Sequence, residues 1–163
     1  MRHASFPFVA RPDAAVLILG SLPGAESLAR GEYYANRANR FWWIMGELIG
    51  AYPDLPYTVR LDRLRDSRIA LWDVCASAER AGSLDANIVA PVANDFAVFL
   101  QEHPRVRLIG LNGGYAATLF ARSVKVPACV RTERLPSTSP AHARMSPDAK
   151  LARWRVALGE FIG

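Results

Sequence analysis

The sequence predicts an α/β fold, a three-layer α/β/α sandwich with a central, mainly parallel sheet. Three observations lead there. Short apolar runs at 15–19, 69–74 and 106–111 read as strands buried on both faces. Between them lie segments whose apolar residues recur at helical spacing. The two kinds alternate along the chain, which requires crossover helices on both sides of a parallel sheet.

The first strand, 15–19 (AVLIL), ends at Gly20. Residues 40–49 then place Phe41, Ile44, Met45 and Leu48 on one helical face, with Asn39 as the N-cap. Pro53 and Pro56 break that pattern, and 58–66 reads as a short charged helix. The run 69–74 (IALWDV) is the second strand, and 94–102 holds Phe96, Phe99 and Leu100 at helical spacing before Pro104 stops it. The run 106–111 (VRLIGL) is the third strand, after which Gly113 and Gly114 turn the chain into a helix reaching Arg122. Residues 128–131 are expected to add a short fourth strand. Ser146, Pro147 and Asp148 mark a helix start with proline in its first turn, and that helix should run to Phe161. With no repeat, linker or low-complexity stretch, 1–163 is expected to form one domain.

Composition narrows the function. Of 163 residues 51% are hydrophobic and 21% charged, enough to bury a core. No apolar run reaches the ~18 residues a membrane helix needs, and 1–13 has no signal-peptide pattern. The expectation is a soluble cytoplasmic protein, a monomer, with no membrane partner. Cys75 and Cys129 lie in apolar stretches and are expected to be buried; two cysteines cannot hold an iron–sulfur cluster, and no zinc spacing occurs. No metal or cofactor is expected. Lys plus Arg number 20 against 15 for Asp plus Glu, a net charge of +5, and only Lys125 and Lys150 are lysines. Guanidinium forks suit phosphate contact, although an arginine-rich solvated surface would give the same count.

In parallel sheets ligands sit at the carboxyl ends of the strands. After the first strand comes Gly20-Ser21-Leu22-Pro23-Gly24, whose glycines let backbone N–H groups approach a ligand closely. It is neither a dinucleotide loop nor a P-loop, and Leu22 stands where a nucleophile elbow would carry serine. Taken alone, it also reads as a plain strand-to-helix turn. The stretch 33–43 (YYANRANRFWW) concentrates rings, amides and arginines: rings stack an extruded base, amides read its edge, arginines hold backbone phosphates. The same letters fit helix core for Phe41, Trp42 and Trp43, and turn or cap for Asn36 and Asn39. After the last strand, 135–144 (LPSTSPAHAR) sets hydroxyls between two prolines, a stiff loop suited to phosphates or a groove. His142 alone is no catalyst, and the residues of a serine-hydrolase triad are missing.

Taken together, Phe6-Pro7, GSLPG at 20–24 with Ser27-Leu28, YYANRANRFW at 33–42, WDVCASAERAGSLD at 72–85 and LPSTSPAHA at 135–143 resemble the uracil-DNA glycosylase superfamily, within it the hypoxanthine-DNA (deoxyinosine) glycosylase branch. The resemblance spans nearly the whole chain in order. It implies a uracil-DNA glycosylase-like sandwich and a monofunctional DNA glycosylase of base excision repair. Such an enzyme hydrolyses the N-glycosidic bond of a flipped-out deaminated base, hypoxanthine before uracil, and leaves an abasic site. The partner implied is DNA containing that base. The resemblance also implies roles. Gly20, Ser21, Leu22, Pro23 and Gly24 would hold the base with Tyr34 and Phe41, Tyr34 stacking on it. Asn39 would be the catalytic amide, because Leu22 replaces the polar residue that handles water in relatives. Ser137, Thr138, Ser139, His142 and Arg144 would contact DNA. Asp73, the one acidic residue at a strand end, is a second catalytic candidate, or else a cap or salt-bridge partner.

Cleavage builds positive charge on the sugar and negative charge on the base, so stabilising both can suffice without a strong nucleophile. Neither Lys125 nor Lys150 falls in these segments, so hydrolysis without strand cleavage is expected. A damaged-DNA binder of the same fold that has lost activity is the alternative, with Leu22 as its best support. A nucleoside hydrolase would lack its aspartate cluster here.

Overall fold

The computed structural model describes residues 2–162. In chain order its elements are β1 (Arg2–Ala4), β2 (Val16–Gly20), α1 (Ala25–Arg30), α2 (Phe41–Ile49), α3 (Tyr57–Asp66), β3 (Ile69–Asp73), β4 (Cys75–Glu79), β5 (Val89–Ala93), α4 (Phe96–Glu102), β6 (Leu108–Asn112), α5 (Gly114–Ser123), β7 (Arg131–Leu135) and α6 (Pro147–Ile162). Four strands form a parallel sheet in the order β3-β2-β6-β7.

Strand alternation divides the core into two halves. Val16, Ile18, Ile69, Leu71, Leu108 and Leu135 point to one face, where α2 and α6 bring Phe41, Ile44, Met45, Trp154 and Leu158. Leu17, Leu19, Ala70, Ile109 and Leu111 point to the other, against Phe96 and Phe99 of α4 and Leu119 and Phe120 of α5. This is the predicted three-layer sandwich. Burial of each large side chain contributes about 1.5–3 kcal/mol. The most voluminous, Trp154, is fully buried and also donates its indole N–H to the Pro136 carbonyl at 3.0 Å. The chain steps from β2 to β3 on one side and returns to β6 on the other. The strand order therefore reverses at β2 and β6, where such sheets open a crevice at their carboxyl ends.

Several expectations are corrected. The fourth strand is 131–135 rather than 128–131, and Cys129, expected inside, is exposed in the turn before it. Arg131, Thr132 and Arg134 are exposed on this edge strand, so its letters carry no apolar run. A second sheet, antiparallel in the order β1-β4-β5, was not expected. The six-residue α1 was not expected either. The helix start at 146–148 holds: Pro147 opens α6, and the Ser146 hydroxyl accepts the Ala149 N–H at 3.1 Å. No helix among the described residues is long and apolar enough to cross a membrane.

Candidate active site

Strand register assembles the floor of the crevice. Asp73 pairs with Gly20 across β2 and β3, and Leu111 pairs with Leu19 across β2 and β6, so Asn112 stands level with Gly20 on the opposite side. Residues level with one another point to one face. Asp73 and Asn112 therefore flank the bare Gly20 on the face covered by α2 and α6.

Tyr34 closes this row. Its hydroxyl lies 3.0 Å from where a Cβ on Gly20 would stand, and Asp73 Oδ1 lies 2.7 Å from the same point. Only glycine leaves room for both. Tyr34 adopts a left-handed backbone, φ 54°, rare for a non-glycine residue and costing roughly 1–3 kcal/mol. That conformation lays its ring on Phe41, centroids 4.1 Å apart and planes 21° apart. Burial, with the nearby Asp73 charge, raises the phenol above its ordinary pKa, so it stays a neutral hydrogen-bonding group.

Asn112, which sequence reasoning missed, holds the arrangement. Its Oδ1 accepts the Thr138 N–H at 3.0 Å, while Nδ2 donates to the Tyr34 hydroxyl at 3.1 Å and to Thr138 Oγ1 at 3.0 Å. A signal existed: the strand-end rule that singled out Asp73 applies equally to the residue after LIGL. Asn39 is brought to the same edge. The Arg40 N–H donates to the Thr138 carbonyl at 2.9 Å, tying the 36–41 turn to the loop after β7. The N-cap of α2 is Arg40, one residue later than expected, and Asn39 Oδ1 accepts the Phe41 N–H at 2.9 Å. A donor must meet the carbonyl end of the amide, so the Asn39 oxygen is spent on the backbone and its Nδ2 hydrogens have no protein partner among the described residues.

The loop 20–24 is held from behind. Gly20 and Ser21 carbonyls accept N–H groups of Val74 and Cys75 at 2.8 and 3.1 Å. Arg80, only 3% exposed, donates to the carbonyls of Leu22 at 3.4 Å, of Pro23, and of Gly82 at 2.9 Å, with Asp85 at 3.8 Å. Burial lowers the Arg80 pKa and raises that of Asp85, which the Ser21 hydroxyl offsets by donating to it. Within a planar trans peptide the C=O and N–H point oppositely. With these carbonyls turned toward 74–80, the N–H groups of Ser21, Leu22 and Gly24 point away from that segment. The backbone of this loop can serve a ligand, whereas the Leu22 side chain is buried in the core beneath α4 and α5. Phe41 likewise acts only through Tyr34, being fully buried.

The loop after β7 starts on the same edge. Gly113, φ 95°, lets it pass close by: Ser137 Cβ is 3.0 Å from where a Gly113 Cβ would be. Helix α6 holds it through Trp154 and through Lys150, whose Nζ donates to the His142 carbonyl at 2.6 Å. Ser137 and Ser139 hydroxyls accept the N–H groups of Ser139 and Ala141, both at 3.2 Å, which shapes the turn. Arg144 is exposed, as are Arg37 and Arg40. Thr138 differs from expectation: it is 1% exposed, and its hydroxyl serves Asn112 rather than a phosphate. Two surface clefts, of about 560 and 420 Å³, lie at the antiparallel sheet, and neither is lined by Tyr34, Asn39, Asn112 or Asp73.

An edge that offers a ring to stack on, amide donors beside it and an arginine rim suits one unpaired nucleobase with its phosphates, the setting of a DNA glycosylase. Residues 6–158 match the uracil DNA glycosylase superfamily, and the chain belongs to that superfamily. It is 38% identical over 149 residues, 90% of this chain and 92% of the relative, to a hypoxanthine DNA glycosylase of Methanosarcina acetivorans. To a hypoxanthine DNA glycosylase of Methanosarcina barkeri it is 35% identical over 114 residues, 69% of this chain and 72% of the relative. The solution NMR structure of a candidate uracil DNA glycosylase from Methanosarcina acetivorans superposes with a TM-score of 0.82 at 34% identity, covering 99% of both chains.

Proposed function

We propose that this protein is a monofunctional hypoxanthine-DNA glycosylase, a cytoplasmic monomer that everts a deaminated purine and hydrolyses its bond to deoxyribose. The observation that carries the reading is the Tyr34–Phe41 stack, held by Asn112 over a glycine at the strand-order reversal. Relatives named for hypoxanthine removal at 35–38% identity support the purine assignment. Two free thiols, one exposed, suit a reducing compartment.

In this reading Tyr34 stacks the base, and N–H groups of Ser21, Leu22 and Gly24 meet its polar edge. Asn39 has spent its oxygen on the Phe41 N–H. It therefore acts as a donor that stabilises charge on the departing base, not as a group that deprotonates water. Ser137, Ser139, His142 and Arg144 hold the DNA backbone. Hydrolysis without strand cleavage fits the lysines: Lys150 is committed to His142, and Lys125 lies between α5 and the start of β7, at the amino ends of the strands.

The test is base release from duplexes carrying deoxyinosine, deoxyxanthosine or deoxyuridine, with wild type and Asn39→Ala side by side. We expect hypoxanthine to be released fastest, with excision by Asn39→Ala reduced about 10²–10³-fold and DNA binding little changed. Asn39→Asp should be as impaired as Asn39→Ala, because a carboxylate has no hydrogen to donate. A wild type that binds damaged DNA but releases no base defeats the reading.

A further inference from the structure

Breaking the glycosidic bond leaves an electron pair on the purine, and a proton delivered at that moment lowers the barrier. Asn39 and the backbone N–H groups can share hydrogens with the base but cannot give one up. The floor of the crevice holds one group that can. Asp73 ends β3 beside Gly20 and is 3% exposed. Its Oδ2 is buried without a hydrogen-bond partner, and Oδ1 lies 2.7 Å from the Gly20 Cβ position, next to the Tyr34 hydroxyl. That hydroxyl accepts from Asn112. A buried carboxyl with an orphaned oxygen is costly to a fold, and this one stands at the strand-order reversal, beside the glycine over which the Tyr34 ring is held.

We infer that Asp73 is the general acid of the reaction, its neutral carboxyl donating a proton to the purine ring as the bond to C1′ breaks. The inference rests on the glycosylase reading above. The C1′–N9 electron pair leaves with the base; the Asp73 O–H bond breaks and its proton passes to the base. Water adds to C1′, and the proton that water loses returns to the Asp73 carboxylate. The sum is hydrolysis, with the acid regenerated.

The surroundings set the acid in a working range. Tyr33 and Tyr34 face it from the segment before α2, Cys75 from β4, Arg80 from the segment after β4, and Asp85 from the short turn that follows. Burial pushes the carboxyl up to about 7; Asp85 adds to the rise and Arg80 opposes it. Near neutral pH a good share of molecules therefore carries the proton.

The test is single-turnover release of hypoxanthine from a duplex between pH 5.5 and 9. The wild-type rate should fall about tenfold per unit above the pH at which Asp73 ionises. Asp73→Asn should lower the rate about 10²-fold and abolish that decline, since an amide has no proton to release. Affinity for a duplex carrying uncleavable 2′-fluoro-deoxyinosine should change less than about threefold, because the amide keeps the size and shape of the neutral carboxyl. A wild-type rate that stays level to pH 9 overturns the inference without any variant being needed. So does an Asp73→Asn protein that keeps the wild-type rate or the wild-type decline; Asp73→Ser answers the same question if the amide does not fold. A wild type that releases nothing at any pH defeats the underlying reading, and the inference with it.

Discussion

The two strands beside β2 end in polar residues at the same level, yet their surroundings are opposite. On the β6 side every polar atom of Asn112 has a partner, and through Thr138 the residue ties together Tyr34, the 36–41 turn and the loop after β7. On the β3 side Asp73 has an oxygen with none. The β6 side is built as scaffold: its hydrogen bonds stabilise the fold and fix where the ring lies. The β3 side gives up stability for reactivity, as active sites commonly do.

Opposite responses to substitution follow. Asn112→Ala removes three hydrogen bonds and leaves the Thr138 groups and the Tyr34 hydroxyl short of partners. It should cost about 3 kcal/mol in urea unfolding, by a similar amount at pH 5 and pH 8, since the amide does not titrate. Asp73→Asn should instead stabilise the protein, by about 2 kcal/mol at pH 8. The folded carboxyl keeps its proton to about pH 7, whereas in the unfolded chain it ionises near pH 4. Between those values the folded state binds more protons, so wild-type stability falls as pH rises through the window and levels off above it. The gain in Asp73→Asn should therefore shrink toward zero by pH 4; a gain independent of pH would break the comparison. Thr138→Val, on the scaffold side, should cost about 1 kcal/mol and leave DNA affinity unchanged in a binding titration. Arg144→Ala should leave stability alone and reduce the slope of log affinity against log salt by about one.

The sequence carried the parallel sheet well because its strands are buried on both faces and spell continuous apolar runs. The run 69–74 matches Ile69–Asp73, and 15–19 matches Val16–Gly20 shifted by one residue. The antiparallel sheet was illegible for the opposite reason. β5 (VAPVA) exposes Val89 and Val92 and contains a proline, and β1 finds its partner across the chain, Arg2 opposite Glu79. No local pattern announces such a pairing. In the site, Tyr34 and Asn39 were visible as letters, but what the Asn39 oxygen does depends on the exact cap position, the least legible property of a helix. Arg80 was invisible: one arginine within ERAGSLD says nothing until the fold carries it behind the loop 20–24.

Phe41 occupies one side of the Tyr34 ring, so a base stacking on that ring would have to use its other face. An everted nucleotide laid there would form the third tier of a pile of flat rings, recovering part of the stacking it forfeited on leaving the duplex. Such a pile rewards planarity and is indifferent to whether the newcomer is hypoxanthine, guanine or uracil. Discrimination among lesions must then fall to the rim of the base, where hydrogens and lone pairs differ, and reshaping substrate choice would mean editing those contacts while leaving the pile intact.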